Sequence, residues 1–179
     1  MRVISGIYKR RILFETTSQT TRSTKDRVKE TMFNMLGTDV YDKTVLDLFA
    51  GSGALGIEAI SRGAKQADFV EVDKEAYSVL NKNLKLLEIE PAHCYFQDAF
   101  SFLKQAKEDY QLILLDPPYQ TNYLQESLEA IVEKKLLQSQ GLVVSLSHKN
   151  TPTDVPDALK VVKERVVGIT LVRFYEWSE

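Results

Sequence analysis

Two short stretches carry residue types and spacings that could do chemistry. The first is "LLDPPY", Leu114–Tyr119, where an apolar run ends in a carboxylate, two prolines and an aromatic ring. Pro117 and Pro118 remove two backbone N–H donors and stiffen the turn. Asp116, preceding a proline, is biased to an extended conformation. What remains is a surface of acceptors, the Asp116 carboxylate and the free carbonyls, beside the flat ring of Tyr119. Acceptors next to an aromatic platform suit an amine on a planar base. The lone pair of such an amine is delocalised into its ring, so the nitrogen is a poor nucleophile. Two acceptors holding its N–H groups would aim that lone pair at a methyl donor, and the carboxylate would stabilise the positive charge that develops. Positioning would supply most of the rest. A base stacked in a helix cannot reach such a corner, so it must be single-stranded or flipped out. Stacking on Tyr119 would contribute about 1–3 kcal/mol. The plainer alternative is a proline-rich loop with Tyr119 as a lid on the core.

The second stretch is "DLFAGSGALG". Gly51, Gly53 and Gly56 have G-x-G-x-x-G spacing between an expected strand and an expected helix, and Glu71 lies twenty residues past Gly51 at the end of the next strand. That context points to a nucleoside cofactor whose ribose hydroxyls Glu71 accepts. A dinucleotide would put its pyrophosphate at the helix N-terminus, where Asp47 would repel it. S-adenosylmethionine, with a sulfonium and an ammonium, welcomes that carboxylate. Little of the chain is left for the substrate domain of a dehydrogenase. After the third strand, Asp98 can accept from an adenine amine and Phe100 can pack beside the ring. Asp98 is also placed to cap a helix. The expected cofactor set is therefore Asp47, Phe49, Ala50, Gly51, Ser52 and Gly53 from the first strand end, Glu71, Val72 and Asp73 from the second, and Asp98, Ala99 and Phe100 from the third. No metal site is expected.

The elements that would position these residues alternate regularly. Strands are expected at 44–50, 67–73, 93–96, 110–115 and 141–147. Helices are expected at 54–62, 74–88, near 99–107 and at about 123–137. The stretch 160–177, broken at Gly168, reads as an antiparallel closing pair. Strand–helix alternation predicts an α/β, Rossmann-like, mostly parallel seven-stranded sheet, with ligands at the carboxyl ends of the strands. The fourth strand should lie beside the first, so that the Asp116 corner faces the cofactor. Before this core, "MRVISGIYKRRILFE" reads as a β-hairpin around Gly6 to Lys9. A helix then runs from a Ser23 or Thr24 cap to about Leu36. The expected organisation is one domain over 1–179, an N-terminal extension (1–40) on a catalytic core (41–179).

Composition narrows the class. The chain has 179 residues, 44% hydrophobic and 27% charged, with no apolar run long enough to span a membrane and no leader-like N-terminus. The single cysteine, Cys94, suits a reducing cytoplasm and reads as a small buried hydrophobe. Net charge is −2, unevenly spread. Residues 1–30 hold eight basic and three acidic residues, leaving 15 and 22 for the remainder. A basic arm on an acidic body suggests a polyanionic partner. Arg10, Arg11, Arg22, Lys25 and Arg27 are the candidate nucleic-acid contacts. His148 and Trp177 are read as structural.

These residues resemble the class I methyltransferases that modify exocyclic amines, which carry (D/N/S)-P-P-(Y/F). The stretches 22–36, 47–64, 69–73 and 114–119 together look like the bacterial 16S ribosomal RNA guanine-N2 methyltransferase family. The resemblance spans nearly the whole chain. It implies methyl transfer from S-adenosylmethionine to N2 of a guanine in small-subunit ribosomal RNA, as naked RNA or an assembly particle, by a cytoplasmic enzyme expected to be monomeric. Carried over, Asp47, Gly51 and Gly53 would hold the methionine end, Glu71 the ribose and Asp98 the adenine, with Asp116, Pro117, Pro118 and Tyr119 taking the guanine. Ser23 stands where the family has proline, and Lys29 where it has arginine, which costs the bidentate fork. The rivals are an adenine-N6 methyltransferase, which on DNA would need a target-recognition domain, and a non-catalytic nucleotide-binding module.

Overall fold

A computed structural model describes residues 1–17, 26–90, 92–107, 109–119 and 121–179. Seven strands form one sheet in the order β3-β2-β1-β4-β5-β7-β6. They are β1 (Thr44–Asp47), β2 (Gln66–Glu71), β3 (Ala92–Phe96), β4 (Tyr110–Leu115), β5 (Leu137–His148), β6 (Leu159–Val167) and β7 (Thr170–Trp177). The neighbours β3-β2-β1-β4-β5 are parallel, and β7 runs antiparallel to both β5 and β6. Strand β4 lies beside β1 as expected, and the point where the order reverses falls between them.

The near-continuous apolar strands require cover on both faces. Val45, Phe69, Leu112, Leu114 and Val144 pack on one side under α1 (Asp26–Leu36), α2 (Ala54–Ser61) and α3 (Lys74–Leu86). Their chain neighbours Leu46, Val70, Ile113, Leu115 and Val143 pack on the other, under α4 (Ala99–Gln105) and α5 (Tyr123–Lys134). This is the two-residue alternation of a strand turned into two cores. The expected helix to 137 stops short because Lys135 takes a left-handed φ of 53°, and β5 begins at Leu137. The caps expected at Ser23 and Thr24 lie outside the described residues. Among the described residues, no helix is long and apolar enough to cross a membrane.

The expected N-terminal hairpin is not formed. Its two strands reduce to one antiparallel bridge, Arg2 with Ile12. Val3 and Leu13 still donate across it, to the Arg11 and Met1 carbonyls (2.9 Å each), but the donors nearer the turn go to α2 instead. Ile4 and Ser5 give their N–H groups to the Glu58 carboxylate (2.9 and 3.1 Å). Ile7 gives its N–H to the Ser61 carbonyl (2.8 Å) and Tyr8 to the Ser61 hydroxyl (3.0 Å). Gly6 makes this approach possible, because a Cβ there would lie 1.7 Å from the Ser61 carbonyl oxygen. The arm is thus a strap on α2, with Val3 and Leu13 in the core.

Candidate active site

The carboxyl ends of β1, β2, β3 and β4 surround one cleft of about 260 Å³. Leu48 and Phe49 enter it from β1, Val70, Glu71, Val72 and Asp73 from β2, Gln97, Asp98 and Ala99 from β3, and Asp116 and Pro118 from β4. Tyr123, the first residue of α5, closes one side. Its ring lies nearly parallel to Phe49 (6.2 Å, 11°) and meets Phe100 edge-on at 5.1 Å. Three strand ends chosen from sequence therefore converge.

The glycine turn shapes the cleft from behind. Gly53 caps α2 at φ 85°, a conformation that favours glycine. A Cβ on Gly56 would lie 2.3 Å from the Phe69 ring, so this glycine lets α2 press against β2. Glu71 fixes the loop. One carboxylate oxygen accepts from Gly51 N–H and the other from Asp73 N–H, both at 2.7 Å. A carboxylate has about four lone-pair sites, so capacity remains for ribose hydroxyls. Asp73 caps α3 through Ala76 N–H (2.8 Å), and Asp98 caps α4 through Ser101 N–H (2.9 Å).

Asp47 is the electrostatic anomaly. It is 1% exposed, and its Oδ2 accepts from Gly56 N–H at 2.9 Å. Its Oδ1 has no hydrogen-bond partner among the described residues. Burial, followed by the repulsion of Asp116 and Glu71, pushes its pKa up to about 7, against the pull of the Gly56 N–H. A buried carboxyl with one bare oxygen and acidic neighbours favours taking up a proton or facing a cation.

At the Asp-Pro-Pro-Tyr corner, Leu48 N–H donates to the Leu114 carbonyl (3.2 Å), which keeps the ends of β1 and β4 side by side. Pro117 is buried and Asp116 half-buried. Tyr119 turns toward β7. Its hydroxyl meets Thr170 Oγ1 at 2.9 Å and its ring meets His148 edge-on. Tyr119, expected as the aromatic platform, does not line the cleft; the rings there are Phe49 and Tyr123, and Tyr123 was missed from sequence along with Leu48, Val70 and Gln97. Its signal was an aromatic opening the helix that follows the proline corner. Leu48 and Val70 read only as core.

The candidate nucleic-acid residues divide. Arg10, Arg11 and Arg27 are exposed, while Arg22 and Lys25 lie outside the described residues. Lys29 is fully buried and its ammonium donates to the Arg2 carbonyl (2.6 Å), 3.2 Å from Glu58. Cys94 is half-buried, and burial raises its thiol to about 11, against a nucleophilic role. Trp177 donates to the Leu137 and Gln138 carbonyls.

Residues 1–176 match the family described as conserved hypothetical protein 95. The chain is 36% identical to ribosomal RNA small subunit methyltransferase D of Haemophilus influenzae, over 98% of this chain and 93% of that one. It is 35% identical to the Escherichia coli protein of the same name, over 98% and 89%. A solved structure of Escherichia coli yhhF superposes with a TM-score of 0.90 at 33% identity, covering 100% of this chain and 98% of that one.

Proposed function

The chain belongs to the conserved hypothetical protein 95 family, and from that premise we propose that it transfers a methyl group from S-adenosylmethionine to the exocyclic N2 amine of a guanine in small-subunit (16S) ribosomal RNA. The observation that carries the reading is the convergence of Glu71, Asp98 and Asp116 on one cleft with aromatic and aliphatic walls, with the buried Asp47 close enough to feel the charges of Glu71 and Asp116. That donor set fits a ligand with a purine, a ribose and a cationic end. The bare, buried Oδ1 of Asp47 is what a cation would satisfy.

S-adenosylmethionine supplies an electrophilic methyl on a sulfonium. Asp47 takes the cationic methionine end, and Glu71 accepts from the ribose with the capacity left after Gly51 and Asp73. Asp98 accepts from the adenine amine, and Phe49, Phe100 and Tyr123 form the apolar wall. Asp116 and the carbonyls of the proline corner accept from the two N–H groups of the guanine amine. The charge that develops on that nitrogen falls to Asp116, which has a carboxylate and no competing proline N–H beside it. The exposed Arg10, Arg11 and Arg27 contact phosphates. The chain acts as a cytoplasmic monomer, its N-terminal strap and its core forming one catalytic unit.

Labelled methyl from S-adenosylmethionine should appear on ribosomal RNA from cells lacking this protein, at a guanine N2 by mass mapping. Asp116→Ala should lower kcat by about 10²–10³ while cofactor still binds. Equal turnover by that variant would remove Asp116 from the chemistry. Label on N6 of adenine would replace guanine as the target.

A further inference from the structure

We propose that a basic and aromatic groove on α3 and the end of β3 docks a single-stranded segment of the RNA substrate, flanking the base to be methylated. The inference rests on the RNA reading above and adds a surface outside the cleft.

Lys74, Ser78, Lys82 and Lys85 are exposed along one face of α3. Their spacing of four, four and three residues keeps them on one stripe. At 1.5 Å per residue, Lys74 and Lys82 stand about 12 Å apart along the helix axis. Phe96, at the end of β3, is 56% exposed, and its ring sits 5.1 Å from that of Tyr77 beside the stripe. Lysines flank a pair of rings at the surface.

The three lysine ammoniums are not held in ion pairs: among the described residues, no salt bridge engages Lys74, Lys82 or Lys85. The acids at the N-terminal end face other groups, and Glu88 and Glu90 lie beyond Lys85 at the far end, beside Tyr77 and Asn81. Asp73 caps the helix through Ala76 N–H. Glu75 receives the hydroxyls of Thr16 and Thr17 and the Thr17 N–H. At the far end, Arg11 donates to the Leu86 carbonyl (3.3 Å), so the arm adds a fourth cation to the line.

The groove is continuous with the active cleft. Lys74 follows Asp73 and Phe96 precedes Gln97, and both Asp73 and Gln97 line the cleft. A strand leaving the cleft on this side meets Phe96 first and the lysines next. Exposed rings select splayed, unpaired bases, because duplex bases hide their faces. The lysines then meet the phosphates.

The test uses the full chain with an in vitro transcript of small-subunit ribosomal RNA, its Kd measured against salt. Lys82→Ala/Lys85→Ala should reduce the slope of log Kd against log salt by about 1.4, at about 0.7 per phosphate on a single strand. Phe96→Ala should weaken binding by about tenfold. S-adenosylmethionine affinity, read in parallel, should stay unchanged and reports correct folding. Unchanged slope and Kd, in variants of a wild type that binds and methylates the transcript, would overturn the groove alone. So would losses confined to protein-bound particles, which would give this face to a protein partner. A wild type that neither binds nor methylates the RNA, as transcript or within an assembled small-subunit particle, would bring down the substrate reading as well.

Discussion

Two buried carboxylates, one on each side of the glycine turn, have opposite surroundings. Glu58 on α2 is 0% exposed. Its oxygens accept from Ile4 N–H, Ser5 N–H and the Arg62 guanidinium, and Lys29 stands 3.2 Å away. Asp47 at the end of β1 is 1% exposed, with a single backbone donor on one oxygen and none among the described residues on the other. A buried charge whose lone pairs are filled belongs to the scaffold. A half-filled one carries unfavourable free energy when ionised, which a proton or an arriving cation releases. With its pKa moved from 3.8 to about 7, holding Asp47 ionised above pH 7 costs about 4 kcal/mol relative to the unfolded chain. Two carboxylates, equally buried, thus have their lone pairs filled in one place and half-filled in the other.

The largest expected effect is at the filled site. Glu58→Ala would leave the Lys29 ammonium buried without its carboxylate and release the N–H groups of Ile4 and Ser5. Burial already holds the Lys29 ammonium below its usual pKa, against the opposing pull of Glu58. Removing one partner of a buried pair costs about 3–5 kcal/mol, so the urea midpoint should fall sharply. Replacing the pair together, Lys29→Met with Glu58→Leu, should recover much of that loss. A Glu58→Ala protein as stable as wild type would show that the strap is held by Val3 and Leu13 alone.

The next effect has the opposite sign on stability. Asp47→Asn removes a buried charge and keeps an oxygen for Gly56 N–H. The ligand-free variant should therefore melt above wild type at pH 8. Its S-adenosylmethionine affinity should fall by at least about tenfold, because a charged hydrogen bond to the ligand contributes about 1.5–3 kcal/mol. Stability bought at the expense of binding is the mark of a functional residue. If the variant instead lost stability as Glu58→Ala does, with affinity intact, Asp47 would rank as scaffold too.

The sequence exposed one of these carboxylates and hid the other. Asp47 was legible because it precedes a glycine spacing between strand and helix, and strand position then follows from alternation. The Asp116 corner was legible for the same reason, since β4 had to lie beside β1. Glu58 sits mid-helix in "ALGIEAIS" with nothing to signal that the N-terminal arm would bring it two N–H groups from more than fifty residues away. That contact also explains the misread hairpin. The β-prone residues were present, but local propensity cannot see a carboxylate and a Ser61 carbonyl competing for the backbone donors. Tyr123 was hidden similarly, because its role depends on where α5 starts and not on its own period.

The last effect is the most diagnostic, because it reads Asp47 without mutation. Its folded pKa, about 7, is raised above the unfolded 3.8. The folded chain therefore binds the proton more tightly, and the Asp47 contribution to stability is fully present below pH 3.8 and lost as pH rises through about 7. Bound cation favours the ionised form, so below pH 7 the ligand must expel a proton. Affinity for S-adenosylmethionine should then climb by up to about tenfold per pH unit toward 7 and level off above it. Calorimetry in buffers of different ionisation enthalpy should show proton release on binding at pH 6 and almost none at pH 8. Asp47→Asn should flatten the profile. A wild-type affinity that stays constant from pH 5.5 to 8 would mean that Asp47 keeps one protonation state whether or not the cation is present. The contrast with Glu58 would then reduce to a count of hydrogen bonds, with no charge waiting to be met.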